Sequence, residues 1–296
     1  MTTEYNFDRK LMGSDLVVAI TSDSQEKAQA IFERMSTIGD AYEKRFSRFL
    51  NESELSKLNT AKTAIVSQEF LEATHIAQKL FTETHGVFNA LLQVSTIGYT
   101  KDFSLLAQEV HTTQTETYDI DFSHVLIDDT LSRISLAPTQ KLDFGGFLKG
   151  HVAQIMSREC AGATGCIVNL GGDIFTTGED VGERPFTFSV FNPVTNEHVL
   201  SMPLRDAAIA TSGTYKRTWH TDNGHVHHIL ETQNKNSKSD IISATVMSTE
   251  GYRADAYATA ALVLGSDKAT QLLTQQKLPF VFITTTGELI HSYGLA

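Results

Sequence analysis

The segment Ala254-Asp-Ala-Tyr-Ala-Thr-Ala260 holds the residues with the clearest chemical use. Asp255 and Thr259 stand four apart, so on a helix a carboxylate and a hydroxyl face the same way. Together they make a hard, oxygen-only start to a Mg2+ site whose shell phosphates would complete. Taken alone, the segment is more simply an Asp near the start of a helix, where the dipole favours it.

A second group is Asp143-Phe-Gly-Gly-Phe-Leu-Lys-Gly150. It sets an acid at a strand end, glycines at a turn and a lysine six residues on. Glycines let a ligand approach the backbone, and the helix start that follows offers N–H groups to an anion. It is not a P-loop, because Gly145 and Gly150 are followed by His151 and Val152 rather than Lys and Ser/Thr. Asn169-Leu-Gly-Gly-Asp173 and Ala210-Thr-Ser-Gly-Thr-Tyr215 are two further small-residue turns; hydroxyls of the second could meet a ligand, and read singly each is equally an ordinary turn or loop. His220, His225, His227 and His228 crowd one hairpin. On a strand 225 and 227 share a face and 228 opposes them, which disfavours zinc and leaves a general base open. Cys160 and Cys166 fit neither a redox nor a zinc spacing and are expected to be buried free thiols.

These groups need elements to hold them. Asp15 to Thr21 reads as a strand. Ala28, Ile31, Phe32, Met35, Ile38 and Tyr42 then form the stripe of a helix capped by Ser24. A second helix runs from Ser67 to about Thr84 and closes at Gly86. Phe103 to Val110 is expected as a short helix, and Val125–Ile127 with Arg133–Leu136 as a hairpin. A helix from about Gly146 to Cys160 precedes a β-rich stretch. Its strands are expected at 166–170, 186–191, 198–204, 207–210, 217–221, 226–230 and 242–247, with a turn at Asp222-Asn223-Gly224. Tyr252–Leu264 is a helix closed by Gly265. Ser266 is expected to cap another, and Phe280–Thr285 pairs with Glu288–Ser292. Helices mixed with antiparallel pairings argue for an α+β fold of mainly antiparallel sheets, one unit over residues 1–296 in one or two lobes.

Composition narrows the function. Of 296 residues, 41% are hydrophobic and 20% charged, enough for a real core. The net charge of −11 and the lack of any Lys/Arg run argue against a nucleic-acid partner. The start, Met1 to Asp8, holds two acids and no apolar run. The longest nearly apolar stretch, Ala256 to Leu264, is less than half of the ~20 residues a membrane helix needs. The expectation is a soluble, cytoplasmic protein with no membrane segment.

In order along the chain, the motifs resemble the ApbE family, the FAD:protein FMN transferases. The resemblance begins at Met12-Gly13-Ser14 and continues through Phe46-Ser-Arg-Phe49, Ser53-Glu-Leu-Ser-Lys-Leu-Asn59 and Gly86-Val-Phe-Asn89. It then takes in 143–150, 169–173 and 210–217, and ends in the helix at 254–265. It implies an ApbE-like, T-fold-related architecture and an enzyme that uses FAD as substrate with Mg2+. FMN passes to a Ser/Thr hydroxyl of an acceptor flavoprotein, and AMP leaves. It further implies metal contacts at Asp255, Thr259 and the Gly146 carbonyl. Flavin-nucleotide contacts fall at Met12, Phe49, Val87, Phe88, Asn89, Asp143, Lys149 and Ile229, and His228 lies near the acceptor hydroxyl. Asp255, Thr259 and His228 are then the catalytic set.

The chain departs from the family where Asn89 replaces an acid and Phe49 a tyrosine. The segment His228-Ile-Leu-Glu-Thr-Gln233 also lacks the family's Pro and Gly. Two other outcomes stay open: FAD hydrolysis to FMN and AMP with water as acceptor, and FAD binding without reaction.

Overall fold

The computed structural model describes residues 2–98, 109–110, 118–216, 218–221, 224–231, 237 and 239–292. The chain opens with β1 (Thr3–Leu11), β2 (Ser14–Ser22), α1 (Gln25–Phe46), α2 (Glu54–Ala61), β3 (Thr63–Ile65) and α3 (Gln68–Glu83). Then come β4 (Glu109–Val110), β5 (Leu126–Asp128), β6 (Arg133–Ser135), α4 (Leu148–Ser157), β7 (Gly165–Leu170) and β8 (Asp173–Gly178). The strands β9 (Phe186–Asn192), β10 (Glu197–Leu204), β11 (Ala208–Gly213), β12 (Thr218–Thr221), β13 (Gly224–His227) and β14 (Ile241–Ser248) follow. The last elements are α5 (Gly251–Leu264), α6 (Ser266–Gln275), β15 (Phe280–Thr284) and β16 (Leu289–His291).

Eight strands make one sheet in the order β1-β2-β7-β8-β11-β14-β15-β16, and every neighbouring pair is antiparallel. The α+β, mainly antiparallel expectation holds. Alternation sets the faces. Leu16, Val18 and Ile20 of β2 and Cys166, Val168 and Leu170 of β7 are fully buried on the side that meets the helices. The opposite face sends Ile209 and Val281 into a smaller core with Val190, Met202 and Leu204 of the β9–β10 hairpin.

Helix α5 is apolar almost all round. Ala254, Ala256, Tyr257, Ala258, Ala260, Ala261 and Leu262 have essentially no exposure. A helix of that kind belongs between layers, and α5 lies between the sheet strands β11 and β14 and the helices α4 and α3. Its alanines let neighbours come close. At Gly150 and Gly251 the backbones of α4 and α5 touch: a Cβ on either glycine would overlap the other's carbonyl.

The structure alters several expectations. Strand β1 has too few apolar residues to stand out. Its half-buried Tyr5 and Phe7 alternate with exposed polar and charged residues, as suits a sheet edge. Strand β13 ends at His227 rather than Leu230. Residues 103–108 of the expected short helix, and Asp222 and Asn223 of the expected turn, lie outside the described residues. Glu109 and Val110 pair as a strand, parallel to β12. Ser266 is the first residue of α6 rather than its cap. Its N–H and hydroxyl both donate to Asp240, at 2.9 and 2.5 Å, so a carboxylate from a neighbouring loop does the capping. Cys160 and Cys166 are not free thiols but a disulfide with Cα atoms 6.5 Å apart. The 3-10 turn Arg158–Cys160 ends α4, and the chain doubles back into β7, so a tight turn brings together what spacing alone does not. Such bonds persist in oxidising compartments, which weighs against the cytoplasmic expectation. Among the described residues no helix is long and apolar enough to cross a membrane.

Two predictions follow from this packing. In Gly150→Ala the added methyl must part α4 from α5, which is expected to cost about 2–3 kcal/mol by denaturant unfolding. His151 is 4% exposed between the rings of Tyr42 and Tyr252, and its Nε2 has no hydrogen-bond partner among the described residues. Burial, aided by Arg158, lowers its pKa to about 4. Below the ordinary value of 6.5 the unfolded chain takes up a proton that the folded chain refuses, so stability falls between pH 6.5 and 4. Between pH 7 and 5 this group should remove about 2 kcal/mol. His151→Leu should flatten that part of the pH–stability curve, and an unchanged slope would refute the assignment.

Candidate active site

A cavity of about 370 Å³ opens where the N-terminus of α4, the middle of α5 and three tight turns converge. The structure brings every sequence-derived site residue to it. Met12, Phe49, Val87, Phe88, Asn89 and Asp143 line it from the first half of the chain. Gly146 closes that half, and Lys149, His228, Ile229, Asp255 and Thr259 line it from the second.

The floor is the 143–150 turn. Asn59 at the end of α2 accepts from the Leu142 N–H at 2.7 Å and donates to its carbonyl at 2.8 Å. That double grip fixes the residue before Asp143 and gives the Ser53–Asn59 motif its purpose, with Ser53 capping α2 through the Ser56 N–H. Asp143 is then held on both carboxylate oxygens. One accepts from the Gly145 N–H at 2.9 Å, and the other takes a 2.5 Å contact from Arg48 Nη1. Arg48 also lies over the Phe49 ring, 4.8 Å from its centroid. Phe49 itself is 41% exposed, leaving an aromatic face at the mouth. Gly146 is fitted against Phe88, where a Cβ would come within 2.9 Å of the ring. Only glycine brings the backbone this near the cavity.

Asn89 is spent on the backbone: its amide donates to the Ile120 carbonyl at 2.8 Å and its oxygen accepts from the Leu91 N–H at 2.9 Å. A carboxylate could accept but not donate, so an amide suits this position. Two hairpin turns meet at the rim. Met12 and Gly13 join β1 to β2 with φ of 51° and 66°, and Gly171 and Gly172 join β7 to β8 at 69° and 102°. Positive φ at both central residues is the turn that two-residue hairpins prefer. Met12 has a Cβ in a region that disfavours one, and its N–H donates to Glu43 at 3.0 Å.

On α5, Asp255 is buried and accepts from the Gly150 N–H at 3.3 Å. Lys149 Nζ contacts Asp173 and lies 3.9 Å from Asp255. The Thr259 hydroxyl is 3.1 Å from that of Ser212. Burial pushes the phenol of Tyr215, which also lines the cavity, above its usual range. Spacing alone gave no hint that Arg48 and Asp173 would join the site, whereas Ser212 is one of the hydroxyls of the 210–215 turn that could meet a ligand. Their signal is motif membership, since each falls in a segment that carries the resemblance.

The cavity is lined by the carboxylates of Glu43, Asp143, Asp173 and Asp255 together with hydroxyls and backbone. Among the described residues no three His, Cys, Asp or Glu gather as a metal cage. His228 lines the cavity, whereas its neighbour His227 lies against the Ser237 carbonyl at 3.1 Å. Such an oxygen set suits Mg2+, which keeps waters and shares substrate phosphates, better than it suits zinc.

A family model described as the ApbE family matches residues 12–282. This chain belongs to the ApbE family. An FAD:protein FMN transferase of Klebsiella pneumoniae (strain 342) is 23% identical over 95% of this chain and 84% of its own. One from Chlamydia trachomatis serovar D is 27% identical over 90% and 85%. The fold matches the crystal structure of Pseudomonas stutzeri flavinyl transferase ApbE, apo form. The TM-score is 0.83 at 17% identity, covering 98% of this chain and 94% of that one. The ApbE protein of Thermotoga maritima gives a TM-score of 0.84 at 22% identity, covering 98% and 97%.

Arg48 is the testable keystone of the ApbE-type floor. In Arg48→Met the largely buried Asp143 loses its charged partner, and a stability loss of about 2 kcal/mol is expected. Thermal unfolding reads this directly, and a melting point equal to wild type would show that the pair contributes nothing.

Proposed function

We propose that this chain transfers the FMN moiety of FAD to a Ser/Thr hydroxyl of an acceptor protein, with Mg2+ assistance and release of AMP. The observation that carries the reading is one cavity shared by the Asp255/Thr259 oxygen pair, Lys149 and the 143–150 glycine turn. It combines a cation seat, an anion seat and an aromatic mouth.

The chain's own residues divide the work. Phe49 and Met12 receive the flat flavin ring at the mouth. Asp143, held rigid by Arg48 and Gly145, offers oriented acceptors to the same ligand. Lys149, at the positive N-terminal end of α4, faces the diphosphate. Asp255, Thr259 and the Gly146 carbonyl would hold Mg2+, which when bound neutralises charge on the diphosphate. Phosphoryl transfer of this kind depends on positioning and charge more than on covalent help. His228 takes the proton of the acceptor hydroxyl as its oxygen bonds to the FMN phosphorus. The bond from that phosphorus to the bridging oxygen breaks, and AMP leaves with that oxygen.

A FAD pyrophosphatase differs only in using water as the acceptor, and a passive FAD binder would need no cation. Incubation with FAD, Mg2+ and an acceptor protein separates the three. Flavin fluorescence on the acceptor band of a denaturing gel, with AMP formed, is the expected result. AMP and free FMN without a labelled band would point to hydrolysis, and no AMP to binding alone. Asp255→Ala is expected to abolish Mg2+-dependent turnover, and undiminished AMP formation by that variant would remove the metal assignment.

A further inference from the structure

The reading above uses Asp255 and Lys149 but gives Asp173 no role. Asp173 is nonetheless buried as deeply as Asp255, each side chain 4% exposed, in the wall of the same cavity. It is the first residue of β8, directly after the Gly171-Gly172 turn. Gly171 is fixed there by Ser14, whose side chain would stand 2.8 Å from an added Cβ. The carboxylate therefore comes from a rigid strand end, and it contacts Lys149 Nζ directly. The other carboxylate, Asp255, is 3.9 Å from the same ammonium.

That distance is within reach of a small rotation of a four-carbon side chain. An ammonium seated on Asp255 would neutralise it as a divalent cation does and would exclude that cation. Two buried carboxylates and one ammonium leave a formal charge of −1, so Lys149 cannot neutralise both. We propose that Asp173 is a positioning residue that holds Lys149 off Asp255, keeping that carboxylate open to a divalent cation. The inference rests on the metal-assisted reading of the site. Asp173 acts on the cation through Lys149 and not by ligating it.

A double-mutant cycle read by cation binding, not turnover, tests this. Mn2+ is titrated into wild type, Asp173→Asn, Lys149→Met and the double variant, each with FAD present, and free Mn2+ is followed by its paramagnetic resonance signal. With Lys149 in place, Asp173→Asn is expected to weaken Mn2+ binding about tenfold. With Lys149→Met already present, the same change should cost less than about threefold, because the competing ammonium is gone. Equal factors in both backgrounds would mean that Asp173 acts by its own charge, which overturns the proposal. So would an Asp173→Asn variant that binds as wild type does. Failure of wild type to bind Mn2+ would overturn the metal-assisted reading as well, whereas binding with no coupling overturns this inference alone. If Asp173→Asn does not fold, Lys149→Met on its own decides. It should bind Mn2+ more tightly than wild type without FAD, and equal or weaker binding would sink the idea.

Discussion

The contact between Gly150 and Gly251 governs the site. Helices normally keep about 8–10 Å between axes because side chains stand between them. Here neither helix has a side chain at the crossing, and the two backbones meet. Without that approach the Gly150 N–H could not reach Asp255, nor could Lys149 share a wall with it. The alanines of α5 extend the same logic to the sheet. Small residues here are distances written into the chain, which set where the carboxylate, the ammonium and the glycine turn stand.

Much of this was legible in the sequence. Capping serines marked α1 and α3, and Ser24 and Ser67 do accept the N–H groups that a cap should. Short apolar runs located β2, β7 and β14, most of whose residues are buried. The edge strand β1 was not legible, since half of it faces water and its apolar content falls below what alternation needs. The disulfide was hidden for another reason. Whether two cysteines six residues apart can meet depends on the turn between them, and composition does not state turns.

The site was legible to a different degree. Residue types and helical spacing supplied the Asp255/Thr259 pair and the glycine turn, while the union of twelve positions in one cavity needed a motif order spanning the chain. What spacing could not supply is the layer behind the lining. Asn59 gripping Leu142, Arg48 bracing Asp143 and Asp173 holding Lys149 are tertiary contacts between residues far apart in sequence. Their partners become visible only once the sheet has placed α2, β8 and the 143–150 turn side by side.

The strand order has a consequence for how the molecule is made. β2 finds its neighbour in β7, and the central β8 and β11 are followed by β14 before the helix that carries Asp255. Contacts so distant along the chain are slow to form, because loops must close before the pairings reward them. During synthesis the early motifs leave the ribosome well before α5 does. A nascent chain therefore has the aromatic mouth and glycine floor in hand without the carboxylate that completes them. The finished cavity is therefore a property of the whole chain.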